Sequence, residues 1–171
     1  MSESKQLFSA NLAKDAVYKT GLRSFMEYRD LGIEKATHGQ FRAHVVRIKK
    51  DGPGAHDLHT TGLHKHECDF QMFYVLKGWM KFIYENHGEQ TFHAGDCVLQ
   101  PAGIVHNELD CSDDVEILEI YSPAVHATRK VEGVLPRAGP SGHSLAGPAV
   151  PSSRSWLRRW RSASSWPQCW S

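Results

Sequence analysis

The chain has 171 residues, 40% of them apolar, and a net charge of +1; that suits one domain with one core. No stretch approaches the ~18 apolar residues of a membrane span, and Met1 to Ser9 has no apolar signal core, which points to a cytoplasmic protein. Arg137, Arg154, Arg158, Arg159 and Arg161 all lie in 136–171, a segment without acids. Residues 1–135 are therefore mildly acidic, which gives no support for nucleic-acid binding. Cys68, Cys97, Cys111 and Cys169 form no C-x-x-C pair, so free thiols are expected rather than a zinc knuckle or redox motif.

Residues 1–20 are polar and weakly periodic, and read as an N-terminal arm or a short helix. From 21 to 125 the chain reads as short strands between turn signals. Ser24 to Tyr28 and Phe41 to Lys49 come first. In the second, Phe41, Ala43, Val45 and Arg47 oppose Arg42, His44, Val46 and Ile48, which predicts two unequal faces. Asp51-Gly52-Pro53-Gly54 breaks the pattern. Gly62 to His66 and Phe70 to Lys77 follow. Trp79 to Tyr84 and Gln90 to His93 flank the turn Glu85-Asn86-His87-Gly88, a hairpin. Cys97 to Gln100, Val105 to Leu109 and Val115 to Tyr121 complete the series, the last setting Val115 and Ile117 imperfectly against Glu116 and Glu119. Turns every ~8–12 residues with no long helical period predict an all-β sandwich or barrel.

Residues 126–171 read as a linker and a tail. The part from 136 carries nine Ser and four of the five Trp. Three readings stay open for it: a short basic amphipathic helix around Trp156, Leu157 and Trp160, disorder, or an out-of-frame translation of GC-rich DNA. The barrel is expected to fold and hold metal without it.

There are eleven His, four of them between His56 and His66. His64 and His66, two apart on a strand, share a face, which makes a bidentate grip for a metal at about 2.0–2.2 Å. Further on, Gly95-Asp96 and Pro101-Ala102-Gly103 set turns that bring His106 back on the next strand. His56 and His59 sit on a loop and read as solvated or supporting residues. His44 is a candidate to face the cavity.

These residues stand in two spaced motifs, His64-x-His66-x4-Gln71-x6-Gly78 and Gly95-x5-Pro101-x-Gly103-x2-His106-x3-Asp110. In both, the chain resembles a small single-domain cupin of the RmlC-like superfamily. The resemblance implies an antiparallel double-stranded β-helix, or jelly-roll barrel, over 21–125. It also implies one divalent metal ion (Fe, Zn, Ni, Mn or Co) held by His64, His66, Gln71 and His106. Three departures stand out: Leu58 where the first motif has Gly, Asp110 where the second has Asn, and Gln71 where Glu is usual. Three imidazoles and an amide would leave the ion's 2+ charge uncompensated, a stronger Lewis acid.

The resemblance further implies an enzyme on a small oxygenated molecule: dioxygenase-like with iron, or an isomerase, lyase or cyclase with zinc or nickel. A non-catalytic ligand-binding or sensor module is the alternative, and a storage barrel is disfavoured by retention of all three His. A homodimer through edge strands is expected. Phe70, Phe73, Tyr74, Trp79, Phe82 and Tyr84 read mostly as core; Tyr74, Tyr84 and Tyr121 are candidate proton donors, with nothing to choose among them.

Overall fold

The computed structural model describes residues 5–21, 25–49 and 62–137. Ser24, His56, His59 and residues 138–171, with Cys169 and the rest of the basic tail beyond Arg137, lie outside the described residues.

Two antiparallel sheets face each other. The six-stranded sheet has the order β1 (Lys19–Thr20), β2 (Met26–Asp30), β3 (Arg42–Ile48), β10 (Glu116–Ser122), β5 (Phe70–Lys77), β8 (Cys97–Leu99). The five-stranded sheet has the order β11 (Thr128–Lys130), β4 (His64–His66), β9 (His106–Cys111), β6 (Trp79–Tyr84), β7 (Gly88–His93). This is the expected all-β jelly roll. Two sheet strands fall outside the span 21–125: β1 lies within the segment read as an arm, and β11 pairs with β4, setting Thr128 opposite His66. A helical turn, α1 (Ile33–Ala36), separates β2 from β3, and the polar N-terminal segment has one 3-10 turn at Ala13–Asp15.

Alternation along the strands decides what lies between the sheets. On β5, Gln71, Phe73 and Val75 are buried while Tyr74 and Leu76 are exposed. On β6, Met80, Phe82 and Tyr84 form the inner row. Phe73 stacks on Phe82 at 5.1 Å, Phe82 stacks on Tyr84 at 5.4 Å, and Phe92 closes edge-on to Phe73 at 5.6 Å. Each such side chain contributes about 1.5–3 kcal/mol by leaving water, so this stack clamps the sheets together. Strand β3 departs from simple alternation, since Ala43, His44, Val45 and Val46 are all buried. The chain between β2 and β3 lies along it, and Leu31 bonds its N–H to the Ala43 carbonyl.

Strand β9 carries a bulge. Tyr84 pairs with His106 and Phe82 with Glu108, but Met80 pairs with Cys111, leaving Leu109 unpaired. The extra residue shifts the alternation, so His106, Glu108 and Cys111 all turn inward. At the β5–β6 turn, Gly78 has φ +67° and a Cβ there would meet the Val115 backbone at 3.1 Å; no other residue fits both conditions. The Cys68, Cys97 and Cys111 thiols are free. Among the described residues no helix is long and apolar enough to cross a membrane.

Candidate metal centre

Strands β4 and β9 are neighbours, with His64 opposite His106. His66 lies two residues from His64 and so on the same face. The three rings meet: centroids are 4.5 Å apart for His64–His106, 5.1 Å for His64–His66 and 5.3 Å for His66–His106. One nitrogen from each falls within 4.8 Å of the others, close enough to hold one ion.

Each ring is fixed by its other nitrogen. His64 Nδ1 lies 2.9 Å from the Gly62 carbonyl and His106 Nδ1 lies 3.0 Å from the Ile104 carbonyl. A carbonyl only accepts, so both rings carry their proton on Nδ1 and present a lone pair at Nε2. His66 Nδ1 lies 3.0 Å from the Thr128 hydroxyl. Among the described residues His64 Nε2 is buried without a hydrogen-bond partner, a costly state for a polar atom unless a ligand meets it. The His66 pKa is pushed down to about 4 by burial and by the neighbouring His106 and His64. Burial likewise lowers His106 against the opposing pull of Glu108. His66 and His106 are thus held towards the neutral form, the form that binds metal.

The surroundings correct one expectation. A metal here would not be uncompensated, because carboxylates stand on two sides. Glu108 Oε2 lies 3.9 Å from His64 Nε2. Glu119 accepts a hydrogen bond from the Gln71 amide, Nε2 to Oε1 at 2.8 Å, and its Oε2 lies 2.6 Å from His44 Nε2. Burial alone would raise the Glu119 carboxyl, but His44 and the Gln71 amide outweigh it and hold the pKa at about 2. Gln71 is buried; its oxygen has the Cys68 thiol at 3.9 Å.

A cavity of about 840 Å³ opens beside the trio, lined by His66, His106, Gln71, His44, Glu119 and Tyr121 among others. That is within the ~300–1,000 Å³ range of small-molecule sites. Phe73, Phe82, Met80 and Ile117 make its apolar wall. Tyr121 and His44 meet edge-on at 5.5 Å, and Tyr121 meets His126 at 4.6 Å. His126 also stands 5.5 Å from His66. Of the three candidate tyrosines only Tyr121 lines the cavity. Tyr84 accepts a hydrogen bond from Gln100 in the core, its pKa pushed far up by burial, and Tyr74 lies on the outer face.

Sequence reasoning did not single out Glu108, Glu119, His126 or Thr128. Glu119 had a signal: it is two residues from Ile117 and two from Tyr121, hence on their face rather than opposed to it. His126 and Thr128 follow Pro123 in a short polar segment without a strand pattern.

Two facing antiparallel sheets with a three-histidine cluster between them define a β-sandwich with a group able to hold a metal ion. More specifically, residues 53–121 match the family model of the cupin domain, and the chain carries a small cupin domain. Among solved structures, the polyketide cyclase RemF from Streptomyces resistomycificus is similar at a TM-score of 0.57 and 16% identity, over 75% of this chain and 88% of that one. KdgF from Halomonas sp. is similar at 0.52 and 17%, over 67% of this chain and 94% of that one. A variant oxalate decarboxylase from Bacillus subtilis is similar at 0.52 and 17%, over 77% of this chain and 33% of that one. At these identities the likeness shows the fold. A search of curated protein sequences finds no match.

Proposed function

We propose that this chain is a metal-dependent enzyme acting on a small oxygenated organic molecule bound in the cavity beside His64, His66 and His106. The observation that carries the reading is the buried Nε2 of His64, without a hydrogen-bond partner among the described residues, in a cluster where one nitrogen from each of the three imidazoles lies within 4.8 Å of the others. Gln71 is the proposed fourth ligand. Its nitrogen is committed to Glu119, so its oxygen is the atom left to bind a cation. A divalent ion held there would act as a Lewis acid on a carbonyl, enolate or phenolate oxygen.

The protein's own groups favour the proton-transfer version, an isomerase, lyase or cyclase, over the oxygen-using one. His44, Tyr121 and His126 face the same cavity and can hold or pass a proton. His126 Nδ1 lies 3.2 Å from the Pro123 carbonyl, which sets the proton on Nδ1 and leaves Nε2 to accept. The apolar wall of Phe73, Phe82 and Met80 excludes water from a bound carbon skeleton. Two of the similar structures are named for work on oxygenated compounds, a polyketide cyclase and an oxalate decarboxylase, which supports the substrate class.

Elemental analysis of untagged protein, followed by a panel of ketones, enols, phenols and hydroxy acids with oxygen uptake recorded, tests this. Turnover without oxygen uptake, lost in His64→Ala, is expected. Oxygen consumption with bound iron would replace it by the dioxygenase reading, and ligand-induced stabilisation without product under any metal would replace it by the binding-module reading.

A further inference from the structure

We propose that Glu119 is the anionic member of the metal site: from strand β10 it grips the Gln71 amide and restores the negative charge that glutamine withholds at position 71. The inference rests on the metal-binding reading above and adds a residue to it.

Three observations carry it. First, Gln71 and Glu119 lie on neighbouring strands of the six-stranded sheet, with Tyr121 opposite Gln71 and Glu119 opposite Phe73. Both side chains line the same cavity. Second, each Glu119 oxygen has its own donor, Gln71 Nε2 at 2.8 Å and His44 Nε2 at 2.6 Å. Two fixed partners leave the carboxylate one orientation. A carboxylate only accepts, so the Gln71 nitrogen must face it and the Gln71 oxygen must turn away. Third, His66 and His106 line that same cavity, so the carboxylate stands beside the ligands although it is not one of them.

The arrangement also explains the amide. A glutamate at 71 would set two carboxylates about 2.8 Å apart, and like charges at that distance force one to take up a proton. Glutamine avoids the conflict and leaves the anion one hydrogen bond from the donor atom. Glu119 is therefore a positioning residue: it aims the Gln71 oxygen, polarises it and neutralises part of the ion's charge. Partners of this kind change metal affinity by about 10–100-fold.

The test is zinc(II) binding by chelator competition on the full chain, comparing wild type, H64A, E119Q and the swap Q71E/E119Q, with thermal unfolding of each metal-free form as the folding control. E119Q is expected to bind zinc about 10–100-fold more weakly, and the swap, which keeps the anion but moves it onto the ligand, to return to within about tenfold of wild type. A purely structural role for Glu119 predicts no such rescue. Wild-type affinity in E119Q, or a weakened E119Q that the swap does not restore, overturns the proposal. Should E119Q fail to fold, the swap decides alone: more than a tenfold loss overturns it. A wild-type chain that binds no zinc overturns both readings, whereas zinc binding lost in H64A and unchanged in E119Q overturns this one only.

Discussion

The two sheets contribute unlike chemistry to one cavity. The five-stranded sheet supplies His64, His66 and His106 from β4 and β9, three clustered rings of which His66 and His106 are held towards the neutral form by burial and by their neighbours. The six-stranded sheet supplies His44, Gln71 and Glu119 from β3, β5 and β10, a hydrogen-bonded set built around one ionised carboxylate, with Tyr121 edge-on to His44. Neutral donors alone would concentrate positive charge on a bound ion, and an acid among the donors would compete for its place in the shell. Dividing the tasks between facing layers lets both kinds of group reach one cavity.

The two layers work together only while they are clamped, and the largest expected effect comes from the clamp. Phe73 is 1% exposed and stacks on Phe82 across the layers. Phe73→Ala should cost about 3–5 kcal/mol in urea unfolding; a loss below about 1 kcal/mol would mean that the sheets are held elsewhere.

Next comes the donor side. His106→Ala should weaken metal binding at least about 100-fold, or ~2.7 kcal/mol, while far-UV circular dichroism stays unchanged. Full metal content in that variant would break the division of labour.

Acid separates the layers by their titration windows. The folded protein holds His66 at about 4 against an ordinary 6.5. The unfolded chain therefore takes up that proton first, and metal-free stability falls as pH drops from about 6.5 towards 4. The depressed carboxyl of Glu119 stabilises the fold above its ordinary 4.5, and that contribution is lost as pH falls from there to about 2. Urea midpoints of the metal-free chain should show both declines, and His66→Gln should remove only the first. A flat profile from neutral pH to about 5 would show that the rings are not crowded.

Smaller effects sharpen the picture. Thr128→Val removes the partner of His66 Nδ1 and should lower metal affinity about tenfold without unfolding, by isothermal titration. Breaking the solvent-exposed Arg129–Glu67 pair on the adjoining residues, with Glu67→Gln, should leave the melting temperature unchanged.

Much of this was legible in the sequence because a strand repeats every two residues. His64 and His66 had to share a face, and the Gly, Pro and Asp turns set where His106 returns. The inner rows of β5 and β6 were readable in the same way. What escaped were contacts between distant segments. His44 and Glu119 are 75 residues apart, and the cost of burying an acid makes an outward glutamate the natural assumption until its partners are seen. Strand β11 escaped because three exposed residues, Thr128, Arg129 and Lys130, carry no hydrophobic signature and are ordered by pairing with β4. The burial of both sides of β3 could not be read from its own composition, since the covering chain lies elsewhere.

The unpaired Leu109 has an implication for how this scaffold tolerates change in length. It works as a phase adjuster: before it the inward positions are 106 and 108, after it 111. Removing Leu109 would restore a regular ladder in which His106, Glu108 and Cys111 stand two apart and all still face inward, whereas removing Asn107 would put His106 and Glu108 next to each other and turn one of them outward. Single-residue deletions scanned along β9 should therefore be best tolerated at Leu109, the residue left out of the β6–β9 pairing.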